Sequence, residues 1–369
     1  MISIGGVIGT GVFLGVSQSL YTGGPLGLLL GYSIVGTVVY AGIISVSEIV
    51  AWLPRVGGIV RLAGLYVDPA FGFAMGWNCW YNWAITLPAE ISAATVLMND
   101  YFDPKWNWLF TLAMLSVAVG INCFGARLYG RLEFWFAMLR VLSAFIVIVS
   151  AYLDTVRAPQ TGRIGFRYWI EPGPFAQFKG VQGNIGQFLG FWTVLIQACY
   201  SFFGVEVPDV AGGEVINASK NIPRAIRRIW IRILLFYVLA VFAAGLLVPH
   251  NACELYPAGN APCIPFIIAL RKVGWVGLSH VVNGAFVASA WSAAASDVYI
   301  SSRYMFFLAR CGHVWPVCGR LFRHKKPSTD DPPWIKTPPP QGDSETYAND
   351  TMELGLVQPA VTTPNNTDI

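Results

Sequence analysis

Two stretches of this sequence place reactive or bare polar groups inside apolar surroundings. The first is Ile4-Gly5-Gly6-Val7-Ile8-Gly9-Thr10-Gly11-Val12-Phe13, and the second is Tyr200-Ser201-Phe202-Phe203-Gly204-Val205-Glu206-Val207-Pro208-Asp209. Four glycines interrupt the first, and each weakens a helix by about 1 kcal/mol relative to Ala. In lipid, loosened backbone persists only where it is buried in protein or lines a cavity. The chemistry on offer is backbone amides and carbonyls meeting a ligand; close helix packing through small residues is the competing reading. In the second stretch Gly204 and Pro208 loosen the chain, and Glu206 and Asp209 bring carboxyls near or into the apolar segment. An ionisable group at that depth marks a functional site by default. The spacing Gly6-x-x-Gly9-x-Gly11 is not a dinucleotide fingerprint, because no strand precedes it and no acidic residue follows in a βαβ unit.

The elements that position these groups must be membrane helices. Of 369 residues, 55% are hydrophobic and only 12% charged, with mean hydropathy +0.54. A soluble domain carries about 25% charged residues. The net charge of +4 is too small to argue for nucleic acid. No H-E-x-x-H, G-x-S-x-G or P-loop pattern occurs, and the four histidines all lie from His250 onward, so an enzyme is not expected. No CxxC or Cys/His metal spacing is present, and no metal or cofactor is expected. Cys79, Cys123 and Cys199 lie in apolar segments and are expected to be inert. Cys253 and Cys263 share one external loop, where a disulfide and two free thiols stay equally open. No cleavable signal peptide is read at the start.

Eight spans near the roughly 20 residues a crossing helix needs are read at 2–21, 26–50, 70–98, 106–124, 132–153, 185–211, 229–249 and 276–309. Gly23-Gly24-Pro25 turns the chain between the first two, and Pro54, Gly57 and Gly58 break it again. Counting Lys and Arg in alternate loops gives thirteen on the side of the N-terminus and seven opposite, which predicts a cytoplasmic N-terminus. Residues 1–326 are expected to form one transmembrane domain. Residues 327–369, rich in Pro, Asp, Asn and Thr, are expected to be a disordered cytoplasmic tail. Its Pro338-Pro339-Pro340 run is read as solvated chain before an SH3-type ligand.

Spans one and six are both interrupted and lie five helices apart, the pattern of a transporter site built between two repeats. Here the residues carry a resemblance. Ile4–Phe13 resembles the Gly-rich first helix of the amino acid/polyamine/organocation transporters, and among them the fungal amino acid permeases. Agreement continues in order through Gly24-Pro25, Ser47-Glu48, Leu53-Pro54, Val67-Asp68-Pro69-Ala70-Phe71-Gly72 and Gly76-Trp77-Asn78. It runs on through Pro88-Ala89-Glu90, Glu133-Phe134-Trp135, Asn221-Ile222-Pro223-Arg224, Ser289-Ala290-Trp291-Ser292 and Ser301-Ser302-Arg303, over about residues 1–320.

The resemblance implies an all-α polytopic membrane protein with a five-plus-five inverted repeat and broken helices one and six. It implies proton-coupled uptake of an amino acid at the plasma membrane by alternating access. The amides of Ile8, Gly9, Thr10 and Gly11 would hold the substrate carboxylate. Carbonyls near Tyr200, Ser201 and Phe203, around Gly204, would accept from its ammonium. Phe202 or Phe203 would gate the site, with plain packing equally open for either. Glu90, Glu206 and Asp209 are the carboxyl candidates for carrying the proton, since a carboxyl withdrawn from water can exchange one in the working range. Glu90, two residues after Pro88, is equally open to satisfying a freed backbone amide. Glu48 is read as an ion-pair partner of Arg55 or Arg61, and Asp297 as a bond to a neighbouring helix. Many relatives carry a Lys in helix five; Arg140 takes that place, and Arg holds a charge without releasing a proton. Arg224, Arg227 and Arg228 are read as lipid anchors.

Relatives have about twelve spans, so the last four helices of the family are expected to be missing here, and residues 327–369 match nothing in it. That leaves an alternative function: a permease-derived membrane protein that does not transport, a truncated fragment or a sensor. The amino acid carried and the oligomeric state are not readable.

Overall fold

The computed structural model of the chain describes residues 10–52, 58–123, 132, 134–139, 142, 165–178, 180–206, 231, 237–252, 255, 264–272 and 274–315. Every regular element among the described residues is a helix. The chain divides into two compact units, Met1–Gly58 with Asn82–Ile300, and Ile59–Tyr81 with Ser301–Ile369.

Helix α1 (Thr10–Trp52) has 43 residues, about twice what one crossing needs, and it is not one rod. Gly24 sits at φ 74° and ψ 174°, a region open essentially to glycine alone, and Pro25 follows. A Cβ at Gly24 would lie 2.6 Å from the Ala176 amide nitrogen and 2.7 Å from the Pro174 carbonyl oxygen. Beyond the bend, the Leu26 N–H donates to that same Pro174 carbonyl at 3.0 Å. The contacts on either side define a reversal. Ahead of Gly24, Gly11 meets Ser201, Gly15 meets Gln197 and Gly23 meets Val194. Past it, Gly31 meets Val194 again and Tyr32 reaches Ser201. The first half of α1 therefore runs antiparallel to the helix carrying Gln197 and Ser201, and the second half runs back beside it. This is the turn expected at Gly23-Gly24-Pro25.

Helix α2 (Gly58–Tyr66) is short and was not expected from hydropathy. Helix α3 (Pro69–Met98) coincides with the third span. Asp68 Oδ1 accepts the Ala70 N–H at 2.7 Å, and Pro69 fills the first helical position, where a missing N–H is harmless. Helix α4 (Asn107–Cys123) is the fourth span, entered through a 3₁₀ turn at Pro104–Trp106 that Asp103 caps. Residues 134–139 of the fifth span are helical. Then come α5 (Arg167–Ile170), α6 (Asn184–Ser201), α7 (Leu239–Leu247), α8 (Pro265–Lys272) and α9 (Val276–Arg310). Helices α6, α7 and α9 fall within spans six, seven and eight, apart from one residue at an end. The Cys253–Cys263 pair and the 327–369 tail lie outside the described residues.

Two helices in the first unit wear their apolar residues outward. Along α6, Gly186, Gly190, Val194, Ala198 and Ser201 are buried, a small-residue stripe at three- and four-residue spacing. Its opposite face exposes Ile185, Phe188, Trp192 and Ile196. A soluble helix buries such residues; a lipid-facing helix exposes them and packs through small ones. Helix α4 buries Ala118 and exposes Trp108, Leu112 and Val117. Its attachment is polar: Trp291 Nε1–H donates to the Met114 carbonyl at 3.0 Å, and Asn122 Nδ2 donates to the Ala295 carbonyl at 3.0 Å. By length and composition, Gly15–Ile49 and Pro104–Cys123 are the described segments long and apolar enough to cross a bilayer.

The second unit is held by close backbone approach. A Cβ at Gly72 would lie 2.7 Å from the Gly64 Cα, so α2 and the start of α3 touch backbone to backbone. Gly76 leaves room for Leu308, and His313 packs edge-on against Phe73 with centroids 4.9 Å apart.

Candidate functional site

The described end of the first glycine-rich stretch, helical from Thr10 onward, meets the second stretch. Helix α6 ends at Ser201, and residues 202–206 form turns instead of continuing it, with Gly204 at φ 90°. At this end α6 lies against the first described turn of α1. A Cβ on Gly11 would stand 3.0 Å from the Ser201 Cα and 3.3 Å from the Tyr200 ring. Any larger residue would push the two backbones apart by a few tenths of an ångström or more. Ser201 Oγ donates to the Gly11 carbonyl oxygen at 2.8 Å, and the Gln197 carbonyl lies 3.0 Å away as a second acceptor. Tyr32, on the returning half of α1, places its hydroxyl 2.8 Å from Ser201 Oγ.

Aromatic rings enclose the turn after Ser201. Phe202 is 3% exposed and stacks on Tyr237 with centroids 4.3 Å apart and planes inclined 18°. Phe203 packs on Trp83 of α3, centroids 4.3 Å apart, and Trp83 is itself 1% exposed. The Gly204 N–H donates to Glu206 Oε2 at 3.0 Å, so this carboxylate closes the turn locally. Phe203 donates its N–H to the Tyr200 carbonyl at 3.2 Å.

The sequence-expected residues fall into three groups. Gly11, Tyr200 and Ser201 are brought into direct contact, and Phe202, Phe203, Gly204 and Glu206 follow within one turn of chain. Thr10 is the first described residue of α1. Glu90 stands on α3, buried, on the same face as Trp83 and two turns further on, about 10 Å along the axis. Ile8, Gly9, Asp209 and Arg140 lie outside the described residues. Of the other charged positions, Glu48 is exposed and Asp297 is buried in α9.

Three residues were missed in the sequence: Tyr32, Trp83 and Tyr237. A signal existed for Tyr32, since a tyrosine in the middle of an apolar span needs a hydroxyl partner. None existed for Trp83, one of five tryptophans between Trp77 and Trp108.

Chemically, this arrangement offers backbone polar groups from two converging segments, a hydroxyl, aromatic walls and one carboxylate. Such a set has the donors and acceptors that the two ends of a small zwitterion call for.

Comparison with known proteins agrees with the geometry. The profile of the family described as amino acid permease matches residues 1–328. The chain is 36% identical over 331 residues to a proline-specific permease of Emericella nidulans, covering 88% of this chain and 60% of that protein. It is 34% identical over 330 residues to a lysine-specific permease of Saccharomyces cerevisiae, covering 89% and 54%. It is 37% identical over 332 residues to the general amino-acid permease GAP2 of Candida albicans, covering 89% and 55%. The chain thus spans a little over half the length of the curated relatives it matches. Members of this family are integral membrane proteins. The outward apolar faces of α4 and α6, the glycine contact at Gly11 and a profile covering nearly nine-tenths of the sequence lead to one assignment: the chain belongs to the amino acid permease family.

Proposed function

We propose that this chain takes up amino acids across the plasma membrane by alternating access, with the substrate held where α1 meets the end of α6. The observation that carries this is the approach of Gly11 to Ser201 and Tyr200. Two glycine-loosened segments converge there with their polar backbone inside an apolar region. The amides of Ile8, Gly9, Thr10 and Gly11 take the substrate carboxylate. The carbonyls at the end of α6 and in the turn beyond it, from Ser201 to Phe203, take its ammonium. Trp83 with Phe203 forms an aromatic wall beside the site. The antiparallel pairing of the first half of α1 with α6 supports reading them as helices one and six of an inverted five-plus-five repeat.

Uptake is coupled to protons on this reading, and the carrier is among Glu90, Glu206 and Asp209. Arg140 supplies a fixed positive charge in helix five and carries no proton. On this reading the N-terminus faces the cytoplasm, the side favoured by the excess of Lys and Arg. The relatives named for proline, for lysine and for amino acids generally do not single out one side chain.

The test is uptake of a labelled amino acid mixture by a yeast strain lacking its own broad permeases. It would express this chain or its Gly11→Val variant, with surface expression matched. Saturable uptake by the wild type, faster in acidic medium and lost in Gly11→Val, is the expected result. No uptake from a correctly inserted wild type would overturn the transport reading.

A further inference from the structure

We propose that Tyr32 is a positioning residue for the substrate site, holding the Gly11 backbone against the end of α6 through the Ser201 hydroxyl. This rests on the reading that the site lies between α1 and α6.

Three observations carry it. First, the hydroxyls form a relay. Tyr32 is fully buried, its oxygen is 2.8 Å from Ser201 Oγ, and Ser201 Oγ is 2.8 Å from the Gly11 carbonyl oxygen. A serine hydroxyl has one proton to donate. Ser201 serves Gly11 only when Tyr32 is the donor between them, so the order is Tyr32 O–H to Ser201 Oγ, then Ser201 O–H to the Gly11 carbonyl. Second, Ser201 has a competing acceptor in its own helix, the Gln197 carbonyl at 3.0 Å. Back-bonding to the preceding turn is the default for a helical serine. With Tyr32 as donor the serine keeps its own proton to give, and the Gly11 carbonyl at 2.8 Å is the nearer of its two acceptors. Third, the tyrosine ring is fixed. Its centroid is 6.1 Å from the Phe202 ring, which is stacked on Tyr237. The phenol therefore comes from a different segment than either part it joins, since Gly24 separates Tyr32 from Gly11.

The consequence is precision of the backbone. Substrate-binding amides and carbonyls must stay within a fraction of an ångström of their working geometry. Buried hydroxyls in a membrane find no replacement water, so loss of the Tyr32 hydroxyl leaves Ser201 Oγ one donor short and free to turn to Gln197.

The experiment compares wild type, Tyr32→Phe, Ser201→Ala and the double variant. Phenylalanine keeps the ring and removes only the hydroxyl. In the uptake assay, Tyr32→Phe is expected to raise KM about tenfold, the effect of one well-made hydrogen bond, while the maximal rate per surface molecule stays within about twofold. Ser201→Ala raises KM similarly, and the double variant is no worse than Ser201→Ala alone, because one relay is being broken. Hydrogen exchange on the purified chains gives a second readout, independent of transport. Peptides covering 10–16 and 200–206 exchange about tenfold faster in Tyr32→Phe, and those from α4 do not change. An unchanged KM in an active protein, or unchanged exchange at both peptides, overturns the proposal. A wild type without uptake overturns the transport reading instead, and exchange alone then decides whether Tyr32 holds the two segments together.

Discussion

Gly24 and Gly42 both lie in α1 and face opposite demands. Gly24 adopts a positive φ and would drive a Cβ into the backbone of 174–176, whereas Gly42 is helical with nothing within 4 Å of its Cβ position. Gly24→Ala is therefore expected to destabilise by more than about 2 kcal/mol, from left-handed strain alone before any overlap is counted. Gly42→Ala is expected to leave stability unchanged or slightly raised. Thermal unfolding of the purified protein in detergent separates them, and equal midpoints would contradict the bend. Glu206 allows a cleaner separation of structure from chemistry. Its Oε2 accepts the Gly204 N–H, a task the carbonyl of Gln performs as well. Glu206→Gln is therefore expected to insert and fold normally. If Glu206 carries the proton, uptake by this variant loses its acceleration in acidic medium. Acceleration that persists moves the assignment to Glu90 or Asp209.

Among the elements, α4 depends on polar attachment because it has almost no buried apolar face. Asn122 to Ala295 and Trp291 to Met114 fix its register against α9. Interhelical hydrogen bonds in membranes contribute about 0.6 kcal/mol on average and at most about 1.7. Asn122→Leu should lower the unfolding midpoint by a corresponding small, measurable amount. Arg271 and Asp100 also bridge elements, at 2.8 Å, but both are more than a third exposed. An exposed pair contributes about 0 to 1 kcal/mol and is screened by salt, so Arg271→Gln should move the midpoint less than Asn122→Leu.

The same scale shows what sequence reading reaches. Long apolar runs made α3, α4 and α9 legible almost to the residue, and Gly23-Gly24-Pro25 announced the reversal inside α1; the start of α6 was legible too, but the run read on to 211 hid its end at Ser201. Helices α2, α5 and α8 have nine, four and eight residues, too short for a search tuned to a bilayer crossing. The meeting of Gly11 with Ser201 was legible because both stretches carry glycine at corresponding places in the chain. The relay through Tyr32 was not, because its partners are 169 residues apart and an isolated tyrosine carries no periodic signal.

At the scale of the whole molecule, large apolar side chains face outward on α4 and α6 while glycine, alanine and serine face inward. Water would collapse such a surface, and lipid tolerates it. The described contact has the opposite character: Gly11 and Ser201 are buried where α1 meets the end of α6. On the proposed reading, a zwitterion is better solvated at this contact than in lipid. The most direct measurement is equilibrium binding of a labelled amino acid mixture to the purified protein in lipid nanodiscs. Binding needs the site and not a full transport cycle. Saturable binding by the wild type, abolished in Gly11→Val with helix content unchanged, is the expected result. Binding that survives Gly11→Val would place the substrate somewhere other than the contact between α1 and α6.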